Sequence, residues 1–119
     1  MKNFRSPKTQ KEYDQYKLNN PGGYGCFICE KLAIHTFSKW KIVENSFPYD
    51  GIASVHHMLL PLRHVDEKDL NTDELKELAE IKDSVCDKNY ELMVLPTRNH
   101  RSVPEHFHLH LLVCKDKRI

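Results

Sequence analysis

An α+β domain built on an antiparallel sheet is predicted by three observations in this sequence. Short segments that alternate apolar and polar residues, or that are mainly apolar, are typical of strands, and links of hairpin length separate them. Residues 72–87 are the clearest helix, because apolar side chains recur there at helical spacing. The chain has 119 residues, the length of one domain with its own core. We therefore expect one antiparallel sheet with one main helix.

The predicted elements follow one another simply along the chain. Asn71, followed three residues later by Glu74, indicates a capping box at the start of the main helix. Strands are predicted at residues 40–44, 54–61, 90–96 and 106–114, with the helix between the second and the third.

Two segments of different character divide the chain. Residues 1–23 form a polar, lysine-rich arm, with five basic and two acidic groups in its first 20 residues. A short helix is predicted over residues 8–18 of this arm, and the loop-forming sequence NNPGG at residues 19–23 separates it from the body. The remaining residues, 24–119, form the predicted domain.

Composition and charge exclude several classes of protein. Hydrophobic residues make up 39% of the chain and charged residues 29%, which is a globular mixture and not a disordered one. The net charge of +1 excludes a uniformly basic surface for nucleic acid. There is no apolar run of the roughly 20 residues that span a bilayer. The N-terminal segment has no apolar signal core, so we expect a cytoplasmic location without membrane contact.

Residues 106–110 (HFHLH) are the segment that most directly indicates chemistry. Side chains alternate between the two faces of a strand, so His106, His108 and His110 share one face about 7 Å apart. The apolar residues between them face the core. A neutral imidazole can act as nucleophile, general base or metal ligand, and its neighbours can donate hydrogen bonds to phosphate oxygens. This face of the strand is therefore the predicted site.

A close cysteine pair provides the second chemical signal. Cys26 and Cys29 form a C-x-x-C sequence, which in a chain without a signal peptide indicates a metal or redox site more than a disulfide. A redox dithiol is disfavoured, because no βαβ pattern surrounds the pair. Two reduced cysteines packed as small apolar residues are the alternative.

These segments together resemble the histidine-triad (HIT) superfamily of nucleotide hydrolases and transferases, in its zinc-binding C-x-x-C subtype. Residues 106–112 match the family pattern of three histidines alternating with apolar residues. Residues 56–65 (HHMLLPLRHV) are similar to its strand of histidine, apolar run, proline, basic residue and histidine. The C-x-x-C pair lies near the start, as in many members. The resemblance implies a HIT-like fold with about five antiparallel strands, and a homodimer.

The resemblance also implies a reaction. His108, the middle histidine, would attack the α-phosphate of a nucleotide and form a nucleotidyl-histidine that water hydrolyses. His110 and His56 would hold and polarise the phosphate oxygens. Uridylyltransferases and phosphorylases of this superfamily usually carry glutamine at the third triad position, so His110 indicates a hydrolase. The expected substrate is an adenine or other purine nucleotide, either a nucleoside phosphoramidate or a dinucleoside polyphosphate.

A structural zinc site is implied by the same resemblance. In related proteins the two cysteines are joined by the histidine after the proline strand and by the first triad histidine. The corresponding ligands here are Cys26, Cys29, His64 and His106. Such a site would be closed and structural, linking the N-terminal segment to the sheet.

Residues that bind the sugar and the leaving group are less well marked. Asn45 and Asp50, in a long turn, are the candidates for the ribose hydroxyls. The loop 97–105 departs from the family pattern, since it has no glycine and carries two arginines. Asn99 and Ser102 are its candidates for contact with the leaving group.

Two other functions remain open from the sequence. One is removal of AMP from nucleic-acid ends, as in the aprataxin-like branch, with the basic arm and Arg98 and Arg101 contacting phosphates. The other is a catalytically weak nucleotide-binding module, which the altered loop 97–105 would favour.

Overall fold

A five-stranded antiparallel sheet forms the body of the computed structural model, which describes residues 4–20 and 28–115. The strands lie in the order β1-β2-β3-β5-β4, and every neighbouring pair is antiparallel. The predicted α+β class and its sheet are therefore confirmed. The strands are β1 (Ala33–Thr36), β2 (Trp40–Glu44), β3 (Ala53–Pro61), β4 (Leu92–Val94) and β5 (Leu109–Cys114).

The helical segments lie outside the sheet. The main helix α2 continues through a π-helical turn into the short α3, so the predicted helix over residues 72–87 is one continuous helical region. No helix within the described residues is long and apolar enough to cross a membrane. The helices are α1 (Pro7–Asn19), α2 (Thr72–Ile81) and α3 (Asp87–Asn89), with the π-helical turn at Lys82–Cys86 and 3-10 turns at Glu67–Asp69 and Arg98–His100.

The main core fills the space between α2 and one face of the sheet. Trp40 and Leu59 are completely buried, and Leu109 and Leu111 from β5 join them with Ile81 of the helix. These β5 residues alternate with the triad histidines, as predicted. The opposite face of β3 and β5 is thereby left for the histidines.

Two differences from the predicted strands have simple physical causes. Strand β1 was not predicted, because it is an edge strand with all four residues exposed and therefore lacks an apolar alternation. Strand β5 begins at Leu109 and not at His106, since the chain before it bonds to loops. The amide of His106 donates to Val103 and that of Phe107 donates to Val65.

Helix α1 is anchored to the turn between β2 and β3. Ser6 caps its first turn by accepting from the Thr9 amide, and Pro7 occupies the first helical position. The carboxylate of Asp50 accepts hydrogen bonds from the Ser6 amide at 2.7 Å and the Thr9 hydroxyl at 2.6 Å. Although partial burial opposes it, these bonds hold the pKa of Asp50 below its usual value. Thus Asp50 connects the arm to the domain.

The capping box of α2 is confirmed and provides a stability test. The Asn71 side chain accepts from the Glu74 amide at 2.8 Å, and the Glu74 carboxylate accepts from the Asn71 amide at 2.9 Å. We expect Asn71→Ala to lower the free energy of unfolding by about 1 kcal/mol, because the Glu74 amide in the first helical turn loses its acceptor. Urea unfolding measures this, with exposed Lys76→Ala on the same helix as control. An unchanged midpoint in N71A would show that the cap is unimportant.

Candidate active site and metal centre

The middle histidine of the triad is held by the backbone in one tautomer. Nδ1 of His108 lies 3.0 Å from the carbonyl oxygen of His106. A carbonyl can only accept, so Nδ1 carries the proton and Nε2 keeps its lone pair. His108 is 3% exposed and lies at the floor of a cleft. The geometry therefore leaves an unprotonated ring nitrogen for nucleophilic attack.

The other two site histidines, His56 and His110, form a chain of hydrogen bonds that begins at a backbone amide. The amide of Tyr49 donates to Nδ1 of His56 at 2.9 Å, so the proton of neutral His56 is on Nε2. Nε2 of His56 lies 2.8 Å from Nδ1 of His110 and donates to it. His110 is consequently protonated on Nε2, which lies 3.5 Å from the Tyr49 hydroxyl. A hydrogen-bond donor of His110 is thus available beside His108.

All of these imidazoles are neutral near physiological pH. Burial lowers the pKa of His56 to about 3 and that of His110 to about 2, and the positive charge of Arg5 adds to both effects. Burial also lowers the pKa of His108, even though its bond to the carbonyl oxygen opposes the shift. The triad can therefore donate hydrogen bonds and a lone pair, but it brings no positive charge to an anion.

The stability of the fold should depend on pH because the pKa values of these histidines are lowered. In the unfolded chain His110 titrates near 6.5, whereas in the folded chain it stays neutral down to a pKa of about 2. Its contribution to stability is complete above pH 6.5 and is lost as the pH falls below that value. When the pH is lowered from 7.5 to 5.5, the free energy of unfolding should fall in both proteins. We expect it to fall by about 1.4 kcal/mol less in His110→Gln than in the wild type. Urea unfolding at both values measures it, with the exposed His35→Gln as control. Equal losses in H110Q and wild type would contradict a buried neutral His110.

A cluster of one thiol and two imidazoles lies at the other end of the triad strand. Sγ of Cys29 is 3.2 Å from Nδ1 of His64 and 3.1 Å from Nδ1 of His106. One ligand atom from each residue lies within 4.8 Å of the others, so the three could hold a metal ion. Three of the four predicted ligands are thus brought together, and Cys26 lies outside the described residues.

The backbone also prepares His106 as a ligand. Nε2 of His106 lies 2.9 Å from the carbonyl oxygen of Pro61 and must donate to it. Nδ1 is therefore the unprotonated nitrogen, and it is the atom that faces the Cys29 sulfur. A metal-bound imidazole typically donates its other N–H in this way. Thiolate and imidazole donors are the set that zinc prefers.

An ion pair between an exposed arginine and a buried carboxylate connects the segment that carries His64 to α2. Arg63 donates to the Glu74 carboxylate from Nη2 at 2.7 Å and from Nε at 3.0 Å. Glu74 is 2% exposed, and these bonds hold its pKa below the usual value. The residue before His64 is thereby linked to the first turn of α2.

Two connected compartments open beside the triad. The larger has a volume of about 350 Å³ and is lined by Arg5, Tyr13 and Lys17 of the arm and by His110 of the sheet. The smaller reaches His108 and shares Arg5, Tyr13 and His110 with the larger. The arm therefore forms one wall of the site.

The sequence indicated the basic charge of the arm, but its prediction missed that helix α1 packs on the domain. The signal for this packing was the presence of two tyrosines in a helix that is otherwise mainly polar. Tyr13 and Tyr16 both pack on Phe47, with ring centroids 5.2 Å away in each pair.

Of the four residues predicted to contact the sugar or the leaving group, two line the compartments and two do not. Asn45 lines the smaller compartment, and its side-chain oxygen accepts from the Phe47 amide at 2.8 Å. Ser102 lines both compartments. The carboxylate of Asp50 is engaged by the arm, and Asn99 is exposed on a turn and lines neither compartment.

The two loop arginines are paired with carboxylates. Arg98 donates to Asp66 at 2.6 Å, and Arg101 donates to Glu67 at 2.8 Å. These ion pairs join the loop before the triad to the 3-10 turn after β3, so they have a structural role.

Solved structures provide an independent comparison. A HIT family hydrolase from Clostridium thermocellum is similar at a TM-score of 0.57 and 18% identity, over 81% of this chain and 96% of that one. A histidine triad protein from Clostridium difficile is similar at a TM-score of 0.56 and 15% identity, over 81% of this chain and 95% of that one. No family model and no curated protein matches the chain.

The similarity to both structures extends over most of the chain. The described residues have the histidine-triad fold, in which β5 is paired to β3. The resemblance that residues 106–112 predict is therefore confirmed at the level of the fold.

Proposed function

We propose that this protein is a nucleotidyl hydrolase that cleaves the α-phosphate bond of a nucleotide through His108. The observation that carries the proposal is the tautomer of that residue. Its Nδ1–H donates to the His106 carbonyl, so its Nε2 lone pair is available beside a cavity. A buried histidine held this way is suited to covalent catalysis.

The first step is attack of Nε2 of His108 on the α-phosphorus. A P–N bond forms as the bond from phosphorus to the leaving group breaks, and the leaving group departs with that electron pair. Nε2–H of His110 donates to a non-bridging oxygen, where charge develops in the transition state. Because His56 donates to His110 and lines neither compartment, we assign it as a positioning residue.

In the second step water attacks the phosphorus of the nucleotidyl-histidine. The P–N bond breaks, its electron pair returns to Nε2, and the nucleoside monophosphate leaves. Asn45 and Ser102 line the cavity and are the proposed substrate contacts. A role for Asn99 and Asp50 has less support, since one is exposed and the other binds the arm.

We further propose that zinc is held by Cys29, His64, His106 and, as fourth ligand, Cys26. The donor set and the tautomer of His106 fit such a site. Zinc would supply structural stability here, because all four positions would be taken by protein ligands. The homodimer and the cytoplasmic location stay predictions.

Removal of AMP from nucleic-acid ends loses part of its support. That alternative used Arg98 and Arg101 as phosphate contacts, and both guanidinium groups are paired with carboxylates. The binding-module alternative is tested together with the main proposal.

The test is release of nucleoside monophosphate from three substrates: an adenosine phosphoramidate, diadenosine polyphosphates and an adenylated DNA end. Turnover of one of the first two supports the proposed hydrolase. Turnover of the DNA end alone would replace it with the nucleic-acid function. AMP binding without any turnover would identify a binding module.

A further inference from the structure

Arg5 is a basic residue of the arm that lies beside the triad. It lines both compartments together with His110. Its Nε donates to the Phe47 carbonyl at 2.7 Å, and its guanidinium lies 4.2 Å from the Tyr13 ring centroid and 5.0 Å from that of Tyr49. These contacts hold the guanidinium in one place beside the triad.

No carboxylate of the described residues forms an ion pair with Arg5. In residues 4–20 and 28–115 the arginines that form ion pairs are Arg63, Arg98 and Arg101. Arg5 forms none within that part of the chain, and its two Nη groups have no hydrogen-bond partner there. A guanidinium with two available N–H pairs is a geometric match for phosphate oxygens.

Among the described residues, Arg5 is the one arginine or lysine that lines both compartments. The triad histidines are neutral, so they leave the charge of a phosphate chain uncompensated. Lys17 lines the larger compartment but not the smaller. Its Nζ lies 4.5 Å from the Tyr13 ring centroid and forms an ion pair with Asp14 at 3.6 Å. Within residues 4–20 and 28–115, no aspartate or glutamate lines either compartment. The cavity therefore favours anions over amines.

We propose that Arg5 binds the phosphates beyond the α-phosphate, and that the larger compartment holds a polyphosphate leaving group. The proposal rests on the proposed hydrolase and specifies its substrate class as nucleoside polyphosphates, in preference to phosphoramidates. An amine leaving group has no charge that Arg5 could bind, whereas a phosphate leaving group accepts directly from its N–H groups. The N-terminal arm is thus part of the binding site.

The direct test is binding of inorganic tripolyphosphate, measured by calorimetry on the full chain. We expect binding to wild type and a loss of roughly 10- to 100-fold in affinity in Arg5→Gln, the range for a lost charged hydrogen bond. Arg5→Lys should recover part of it. Lys8→Gln is the matched control, because it removes one positive charge from an exposed position of the same N-terminal arm that lines neither compartment. No binding to wild type, or equal binding to R5Q and wild type, would overturn the proposal.

A kinetic comparison distinguishes this proposal from the proposed function. In R5Q we expect kcat/KM for a diadenosine polyphosphate to fall by roughly 10- to 100-fold, and that for an adenosine phosphoramidate to change less than about threefold. Equal losses on both substrates would overturn the leaving-group assignment while leaving the hydrolase intact. If wild type turns over neither substrate, the hydrolase fails, and tripolyphosphate binding still decides whether Arg5 forms an anion site.

Discussion

Replacement of His108 by alanine should lower turnover of the preferred nucleotide by roughly a thousandfold or more, because the variant has no nucleophile to form the covalent intermediate. Nucleotide binding should change much less, since the cavity walls and the His110 donor remain. The measurement is nucleoside monophosphate release in steady state, together with mass spectrometry of protein quenched and denatured at alkaline pH, where a P–N bond is stable. Wild type should carry a nucleotidyl adduct and H108A should carry none.

The control for this experiment is His35→Ala. His35 is an exposed histidine on β1, which is not next to the triad strand in the sheet. Turnover by the H35A variant should equal that of the wild type. Wild-type rates in H108A, or an adduct on another residue, would refute the assignment of His108 as nucleophile.

Replacement of Cys29 by serine should remove the bound zinc and destabilise the fold. Metal binding energy is coupled to folding, and a thiolate is lost from the centre of the Cys29, His64 and His106 cluster. We expect the free energy of unfolding to fall by about 3 kcal/mol and Tm by roughly 10 °C. Metal analysis of freshly purified protein and thermal unfolding with and without a chelator measure both effects.

Cys114→Ser is the matched control, since Cys114 is a half-buried cysteine at the end of β5, outside the cluster. The C114S variant should retain its zinc and have the same Tm as the wild type. Cys26→Ser should behave like C29S if Cys26 is the fourth ligand. A wild-type protein purified without zinc, or a C29S variant with full zinc, would contradict the metal centre.

Local sequence alone was sufficient for much of the fold. Strand β2 was predicted at residues 40–44, where it is found, because one of its faces is buried and its pattern alternates. The main helix begins after Asn71 because its capping box is local. The alternation of residues 106–110 likewise sufficed to place His108 and His110 on the face opposite the core, since both side-chain periods are properties of the backbone.

Tertiary structure decided what these residues can do. The tautomers of His106 and His56 depend on the Pro61 carbonyl, 45 positions away along the chain, and on the Tyr49 amide across a turn. No local pattern encodes such partners. The placement of Arg5 depends on a carbonyl 42 positions away, reached only because Asp50 anchors the arm.

The sequence by itself therefore determined the fold class, the triad and the candidate metal ligands, because these follow from periodicity and from a resemblance carried by contiguous motifs. Only the tertiary structure decided which nitrogen of each histidine is unprotonated, and that Arg98 and Arg101 are paired. It also decided that the arm lines the cavity with the guanidinium of Arg5, which forms no ion pair among the described residues. The physical reason is that protonation, pairing and cavity shape depend on contacts between distant segments, whereas strand and helix patterns are set by neighbours in sequence.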